Sequence, residues 1–297
     1  MLEFKRIELS DREWIEPVLQ GCGYRGSEYV FSNNFIYRKI YHIDVALMGG
    51  FYLVRSNKEM SCPSYLYPAG CGDIKPVIEA LIEDALSQGV LFRMHGLTKE
   101  AVAMMEALFP GKFAFEEIRD NFDYIYQSER LITLAGKKVH SKRNFINRFK
   151  AENEGRWSYE AITPENLEEC WEMDTAWRER SEDSGETLME EGSAIRDCFN
   201  HFDALGLCGG LLRVDGKVIA FTMGRPINHE TFIVHIEKAF SDIAGAYPMI
   251  NQQFIAHAAG DYQYINREDD VGDPGLRKAK LSYKPDILLE KYAATLK

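Results

Sequence analysis

The chain has 297 residues, 45% of them hydrophobic and 27% charged, with 46 acids against 35 bases and a formal charge of -11. That apolar fraction excludes wholesale disorder, and the length predicts two domains of about 150 residues. The acidic balance excludes non-specific coating of nucleic acid, which needs basic surface, but leaves room for a local basic patch. No run of about 18 apolar residues is present, so no transmembrane helix is predicted. The N-terminus, MLEFKRIELSDREW, has no apolar core, so no cleaved leader is predicted. The six cysteines form no CxxC pair and read as reduced thiols of a cytoplasmic protein without a metal site.

In chain order, residues 3–7 predict a strand and 11–20 a helix with Asp11 near its cap. Residues 28–41 read as an aromatic-rich helix. Residues 42–56 read as two strands turning at Gly49-Gly50, and 64–70 as a third strand. Helical spacing of Ile74, Val77, Ile78, Leu81, Ile82, Ala85 and Leu86 marks 73–88. A strand over 90–97, a helix over 99–108 and a strand over 122–128 complete the first half.

The second half repeats the order. A strand at 157–162 precedes two helices, 164–180 (Thr163 as cap, Pro164 in the first turn) and 186–204. A hairpin over 208–227 pivots on Asp215-Gly216, and 231–239 is a strand. A helix from Tyr247-Pro248, the strand YQYIN, the helix GLRKAKLSY and the final strand DILLEKYAATL follow. The matching order predicts a duplicated α+β fold, with an N-terminal domain over 1–130 and a C-terminal domain over 131–297.

Three segments carry candidate chemistry. In GKKVHSKRNFINRFKAE, 136–152, Val139, Phe145, Ile146 and Phe149 form an apolar helical stripe with Lys142 inside it and Arg143 and Lys150 beside it. A lysine on such a face either snorkels to water or holds an anion in the cleft between domains. Asn144 and Asn147 lie on another face, able to bond a polar substrate or cap nearby structure. In INREDDVGDPGLRKAKLSYKPD, 265–286, a strand opens into Asn266, Arg267, Glu268, Asp269, Asp270 and Asp273. A short basic helix follows, with Leu276, Ala279, Lys280 and Tyr283 on one face. Strand ends of this kind hold active sites, although a salt-bridge network would look the same. In the strand TFIVHIEKA, a period of two puts His235 and Glu237 on one face. Glu237 there is either a general base or a surface carboxylate paired with a cation.

The strings KRNFINRF, HIEKA, GAYPMIN and above all NREDDVGDPGLRKAKLSY resemble the DUF2156 family. That family is similar to the C-terminal catalytic domain of phosphatidylglycerol lysyltransferases, which are tandem GNAT-fold enzymes related to the Fem-type aminoacyltransferases. The resemblance implies two copies of the GNAT acyltransferase fold, with mixed, mostly antiparallel sheets flanked by helices. Donor and acceptor of that fold meet where the fourth and fifth strands splay. It implies transfer of an acyl or aminoacyl group to an amine or hydroxyl of a small molecule or lipid headgroup. Carried onto this sequence, Glu237 takes the position of the general base and Tyr283 that of the acid that protonates the leaving group. Lys142, Arg143, Asn144, Asn266, Arg267, Glu268, Arg277, Lys278 and Lys280 line the substrate site. Coenzyme-A-dependent members bind pyrophosphate on an R/Q-x-x-G-x-G/A turn at a helix start. Here that turn reads SDIAGAYPMIN, with Gly245 alone and with Pro248 removing an amide. No cofactor is therefore assigned. Aminoacyl-tRNA, held at the basic patch, is favoured as donor over acyl-CoA. The alternatives are a coenzyme-A-dependent N-acyltransferase acting on a small amine and a non-catalytic ligand-binding protein of the same fold.

Overall fold

The computed structural model describes residues 2–58, 62–180 and 185–297. The elements run β1 (Lys5–Arg6), α1 (Arg12–Cys22), α2 (Phe31–Ile36), β2 (Ile43–Met48), β3 (Phe51–Ser56), β4 (Ser64–Leu66), α3 (Lys75–Ser87), β5 (Arg93–Leu97), α4 (Lys99–Leu108) and β6 (Phe113–Glu117). Then come β7 (Asp123–Gln127), α5 (Ser128–Thr133), α6 (His140–Glu152), β8 (Trp157–Ala161), α7 (Leu167–Arg180), α8 (Glu186–Asn200), β9 (Cys208–Val214), β10 (Lys217–Pro226) and β11 (Thr231–Ala239). The last are α9 (Ala246–Phe254), β12 (Tyr264–Asn266), α10 (Pro274–Leu281), β13 (Ile287–Leu289) and β14 (Tyr292–Leu296). None of the described helices is long and apolar enough to cross a membrane.

Two compact units result. One comprises Met1–Asp123, Asp269–Asp273 and Leu288–Lys297; the other comprises Tyr124–Glu268 and Pro274–Ile287. The first sheet has the order β1-β2-β3-β4-β5-β14-β6 and the second the order β8-β9-β10-β11-β12-β7-β13, each of seven strands. The two orders correspond position for position. In each, one interior pair is parallel, β4 with β5 and β11 with β12. The sixth place is filled reciprocally: the last strand of the chain completes the first sheet, and β7 the second.

Local sequence explains most elements. Val77, Ile78, Leu81 and Ala85 form the buried stripe of α3 and pack with Leu53, Tyr65, Phe92 and Met94 of the first core. The Asp215-Gly216 turn has φ of 52° and 79°, the doubly left-handed geometry that a two-residue hairpin needs. Four expectations differ. The helix over 28–41 shrinks to Phe31–Ile36, because Asn33 and Asn34 donate their side-chain amides back to Ser27 O and Glu28 O. Residues 109–121, which predict no strand, contribute β6. The single final strand is two strands, β13 and β14, in different sheets. Finally, the period of two in β11 is interrupted. Ile236 pairs with Met223 and Val234 with Gly224, so the β10–β11 register skips His235, which bulges out of that ladder. A Cβ on Gly224 would lie 2.1 Å from Ile233 O, so the bulge requires glycine opposite it.

Candidate active site

The pairing of β11 with β12 is only three residues long, Thr231 with Tyr264, Phe232 with Ile265 and Ile233 with Asn266. Beyond it the strands separate, and two side-chain pairs span the opening. His235 Nδ1 lies 2.7 Å from Glu268 Oε1, and Arg267 Nη2 donates to Glu237 Oε1 at 2.7 Å.

The backbone that presents Arg267 is pinned on all sides. Glu268 sits at φ 57°, a left-handed conformation that a residue other than glycine keeps only when its surroundings hold it. Here Glu268 N donates to the buried Asn266 Oδ1 at 2.6 Å, and Arg267 N to Tyr124 O at 3.0 Å. Lys280 Nζ donates to Arg267 O at 2.6 Å, and Tyr126 OH donates to Lys280 O at 2.8 Å.

Four predicted residues converge on this point within the second unit. Glu237 is closed on both sides: Asn251 Nδ2, from α9, donates to Oε2 at 2.7 Å, opposite Arg267. The Tyr283 ring lies 4.8 Å from the Arg267 guanidinium, and Lys142 Nζ, from α6, stands 4.4 Å above the same ring. Tyr126 packs edge-on against Tyr283. Burial raises the Tyr283 phenol well above its ordinary range, against the opposing pull of Arg267, so it holds its proton at neutral pH. Burial first and the Arg267 charge second lower the pKa of Lys142, with Glu237 opposing. Among the described residues, Arg267 Nη1 and Asn251 Oδ1 are buried at the cluster without a hydrogen-bond partner. Two cations against one carboxylate, with an unspent guanidinium N–H, make a centre suited to an oxyanion.

The other predicted residues lie elsewhere. Lys280 is buried and is spent on the Arg267 carbonyl. Asn266 and Glu268 shape the strand exit, as described. Arg143 binds the carbonyls of Leu134 and Gly136, and Asn144 is exposed. Arg277 and Lys278, with Pro274, Leu281, Ser282 and Lys284, line an open depression of about 490 Å³. The acidic run divides, since Asp270 belongs to the first unit and pairs with Arg119. Phe145, expected in the buried stripe of α6, is 47% exposed, because the helix buries only Ile146 and Phe149. Tyr283 falls just past the end of α10, its N–H on Lys280 O. Asn251 and Tyr126 had no sequence signal beyond their place in GAYPMIN and FDYIYQS.

The start of α9 is where a coenzyme-A pyrophosphate would sit in this fold. Ala246 N is spent on Ile243 O, Met249 N on Gly245 O, and Pro248 has no N–H. Gly245, at φ 87°, lies so close to α6 that a Cβ there would be 2.3 Å from Phe145 O. In the first unit the corresponding opening is filled: the Tyr29 hydroxyl is 3.1 Å from Tyr67 O and 3.3 Å from Gly96 O.

Sheet order, splayed strands and the charged centre between them define an acyltransferase fold in tandem, the architecture of GNAT and Fem-type proteins. The chain belongs to the family described as phosphatidylglycerol lysyltransferase, C-terminal, whose model matches residues 21–295. A crystal structure of a conserved protein of unknown function from Bacteroides thetaiotaomicron is similar over 100% of both chains, with 43% identity and a TM-score of 0.96. The structure of L-PGS from Bacillus licheniformis is similar over 96% of this chain and 92% of that chain, with 18% identity and a TM-score of 0.67. An uncharacterized protein of Mycoplasmoides gallisepticum is 22% identical over 185 residues, 57% of this chain. That match spans about half, 54%, of the curated relative.

Proposed function

We propose that the protein transfers an aminoacyl group from an aminoacyl-tRNA ester to an amine or hydroxyl acceptor, at the Lys142–Glu237–Arg267–Tyr283 centre. The observation that carries this reading is Arg267, its side chain largely covered, oriented by Glu237 and, among the described residues, left with the buried Nη1 unpartnered beside the protonated Tyr283. Nucleophilic attack on an ester builds negative charge on the carbonyl oxygen, and a pre-oriented guanidinium stabilises it without reorganisation. Tyr283 supplies the proton that the departing ribose oxygen needs. The family match supports the aminoacyl donor. So does the start of α9, where few amides are unspent and Phe145 O closes on Gly245, against an acyl-CoA donor. Arg277, Lys278 and Lys284 offer phosphate-binding charge in a chain of net charge -11. Binding of tRNA is accordingly local and weakens steeply with salt.

The test supplies radiolabelled lysyl-tRNA and, separately, acetyl-CoA, each with phosphatidylglycerol vesicles or small amines as acceptor. The expected result is label leaving the tRNA for an acceptor, with no release of free coenzyme A. Coenzyme A release without tRNA deacylation would establish the N-acyltransferase alternative instead.

A further inference from the structure

We propose that Asn251 recognises the α-amino group of the aminoacyl donor, so that the centre selects aminoacyl esters over simple acyl esters. The inference rests on the aminoacyl-transfer reading above and names what that site reads on its donor. Asn251, on α9, is 1% exposed. Its Nδ2 donates to Glu237 Oε2 at 2.7 Å, and Arg267 Nη2 donates to Oε1 of the same carboxylate at 2.7 Å. The carboxylate fixes which way the amide turns. The reverse orientation would set Oδ1 against Oε2, two acceptors with no proton between them. Oδ1 is therefore turned away from Glu237, and among the described residues it has no hydrogen-bond partner. Arg267 is held in the same manner, with Nη2 on the carboxylate and Nη1 buried without a partner among those residues.

Glu237 thus holds, on its two oxygens, one side chain with an unused acceptor and one with an unused donor. Buried polar atoms of folded proteins are almost always hydrogen-bonded, so two orphans on one carboxylate mark a place that a ligand completes. Glu237 and Arg267 keep 12% and 11% of their side-chain surface, so the pair borders solvent. A ligand that satisfies both orphans presents one acceptor and one N–H donor close together. An aminoacyl ester does so. Its carbonyl oxygen accepts from Arg267 Nη1, and its α-amine, one carbon from the carbonyl, donates to Asn251 Oδ1. An acetyl group offers the carbonyl oxygen alone and leaves Oδ1 buried and unsatisfied. A site built to bond a polar group rejects an analogue that lacks it. Neither bond involves the amino-acid side chain, so this pair reads the aminoacyl class and not one amino acid.

Two stable mimics of the charged tRNA end test this on the full chain. One is adenosine carrying lysine at the 3′ position through an amide. The other carries 6-aminohexanoate there, which lacks only the α-amine. Isothermal titration calorimetry is expected to give the lysyl compound a dissociation constant lower by about tenfold or more. In Asn251→Ala, checked for folding by its melting temperature, the ratio is expected to fall to within about twofold. Equal affinities in the parent, or binding of neither compound, would overturn the proposal, and that comparison stands whether or not the variant folds. A folded variant that keeps the parent's ratio would overturn it too, because Asn251 would then only hold Glu237 in place. The lysyl-tRNA assay keeps the two claims apart. Preference for the amine-bearing mimic without transfer of label would leave the recognition standing and count against the transferase reading.

Discussion

A buried phenol packed beside the Arg267 guanidinium and the Lys142 side chain has proton chemistry that phenylalanine, which lacks the hydroxyl, does not. Tyr283→Phe removes one hydroxyl and keeps the ring against Tyr126 and beneath Lys142. It is expected to lower transfer by about 10²-fold while the melting temperature stays close to that of the parent, as thermal unfolding followed by circular dichroism would show. His95 offers a separate residue-scale test, in the first unit. Burial, with the Lys291 charge adding to it, pushes its pKa down from 6.5 to about 4. In that interval the unfolded chain binds a proton and the folded chain does not. Stability is therefore full above pH 6.5 and is lost as pH falls towards 4. Urea unfolding at pH 7 and pH 5 should show the loss, and His95→Gln should flatten it; an unchanged slope in that variant would assign the loss to other groups. Charge on a helix stripe and at strand ends singled out Lys142, Glu237 and Arg267 as candidates, the family resemblance added a role for Tyr283, and the structure brings these four side chains together. The sequence did not separate them from Lys280, whose ammonium is spent on a backbone carbonyl. Asn251 was not visible, because its meaning depends on which side chain α9 brings it against.

At the level of elements, the bulge in β11 decides where the side chains go. Strict alternation would have kept His235 and Glu237 together, and no pattern in TFIVHIEKA announces the extra residue, since a bulge is a property of two strands. Gly224, opposite it, shows the cost of closing that space. Gly224→Ala sets a Cβ 2.1 Å from Ile233 O and is expected to destabilise the protein by about 3 kcal/mol, measurable in urea or by melting. A change below about 1 kcal/mol would mean that β10 and β11 rearrange freely. Helix α10 was legible from its basic run, and α2 was overestimated because asparagine side chains compete with helical bonding in ways that composition does not reveal.

Across the whole molecule, the duplication was legible as a repeated element order, and the reciprocal sixth strand was not. A division at a single point near 130 suits a linear chain; the sheets instead take β14 into the first unit and β7 into the second. Hydrogen bonds between β14 and its neighbours β5 and β6 join segments about 170 to 200 residues apart in sequence, a range that local patterning does not reach. A deletion of residues 291–297 should therefore damage the N-terminal unit. Proteolysis is expected to cut first within residues 2–123 rather than near the new C-terminus, and preferential loss of 274–290 would contradict the strand assignment.

The central claim is that aminoacyl transfer takes place at the Arg267 centre of the second unit. Arg267→Lys preserves the charge beside Glu237 but removes the forked N–H donors. The rate at which label passes from lysyl-tRNA to phosphatidylglycerol, compared between the parent chain and this variant, tests that claim most directly. Measurable transfer by the parent and a fall of about 10² to 10³ in the variant are expected. Equal rates in the two proteins, or a parent that leaves lysyl-tRNA intact under these conditions, would contradict it.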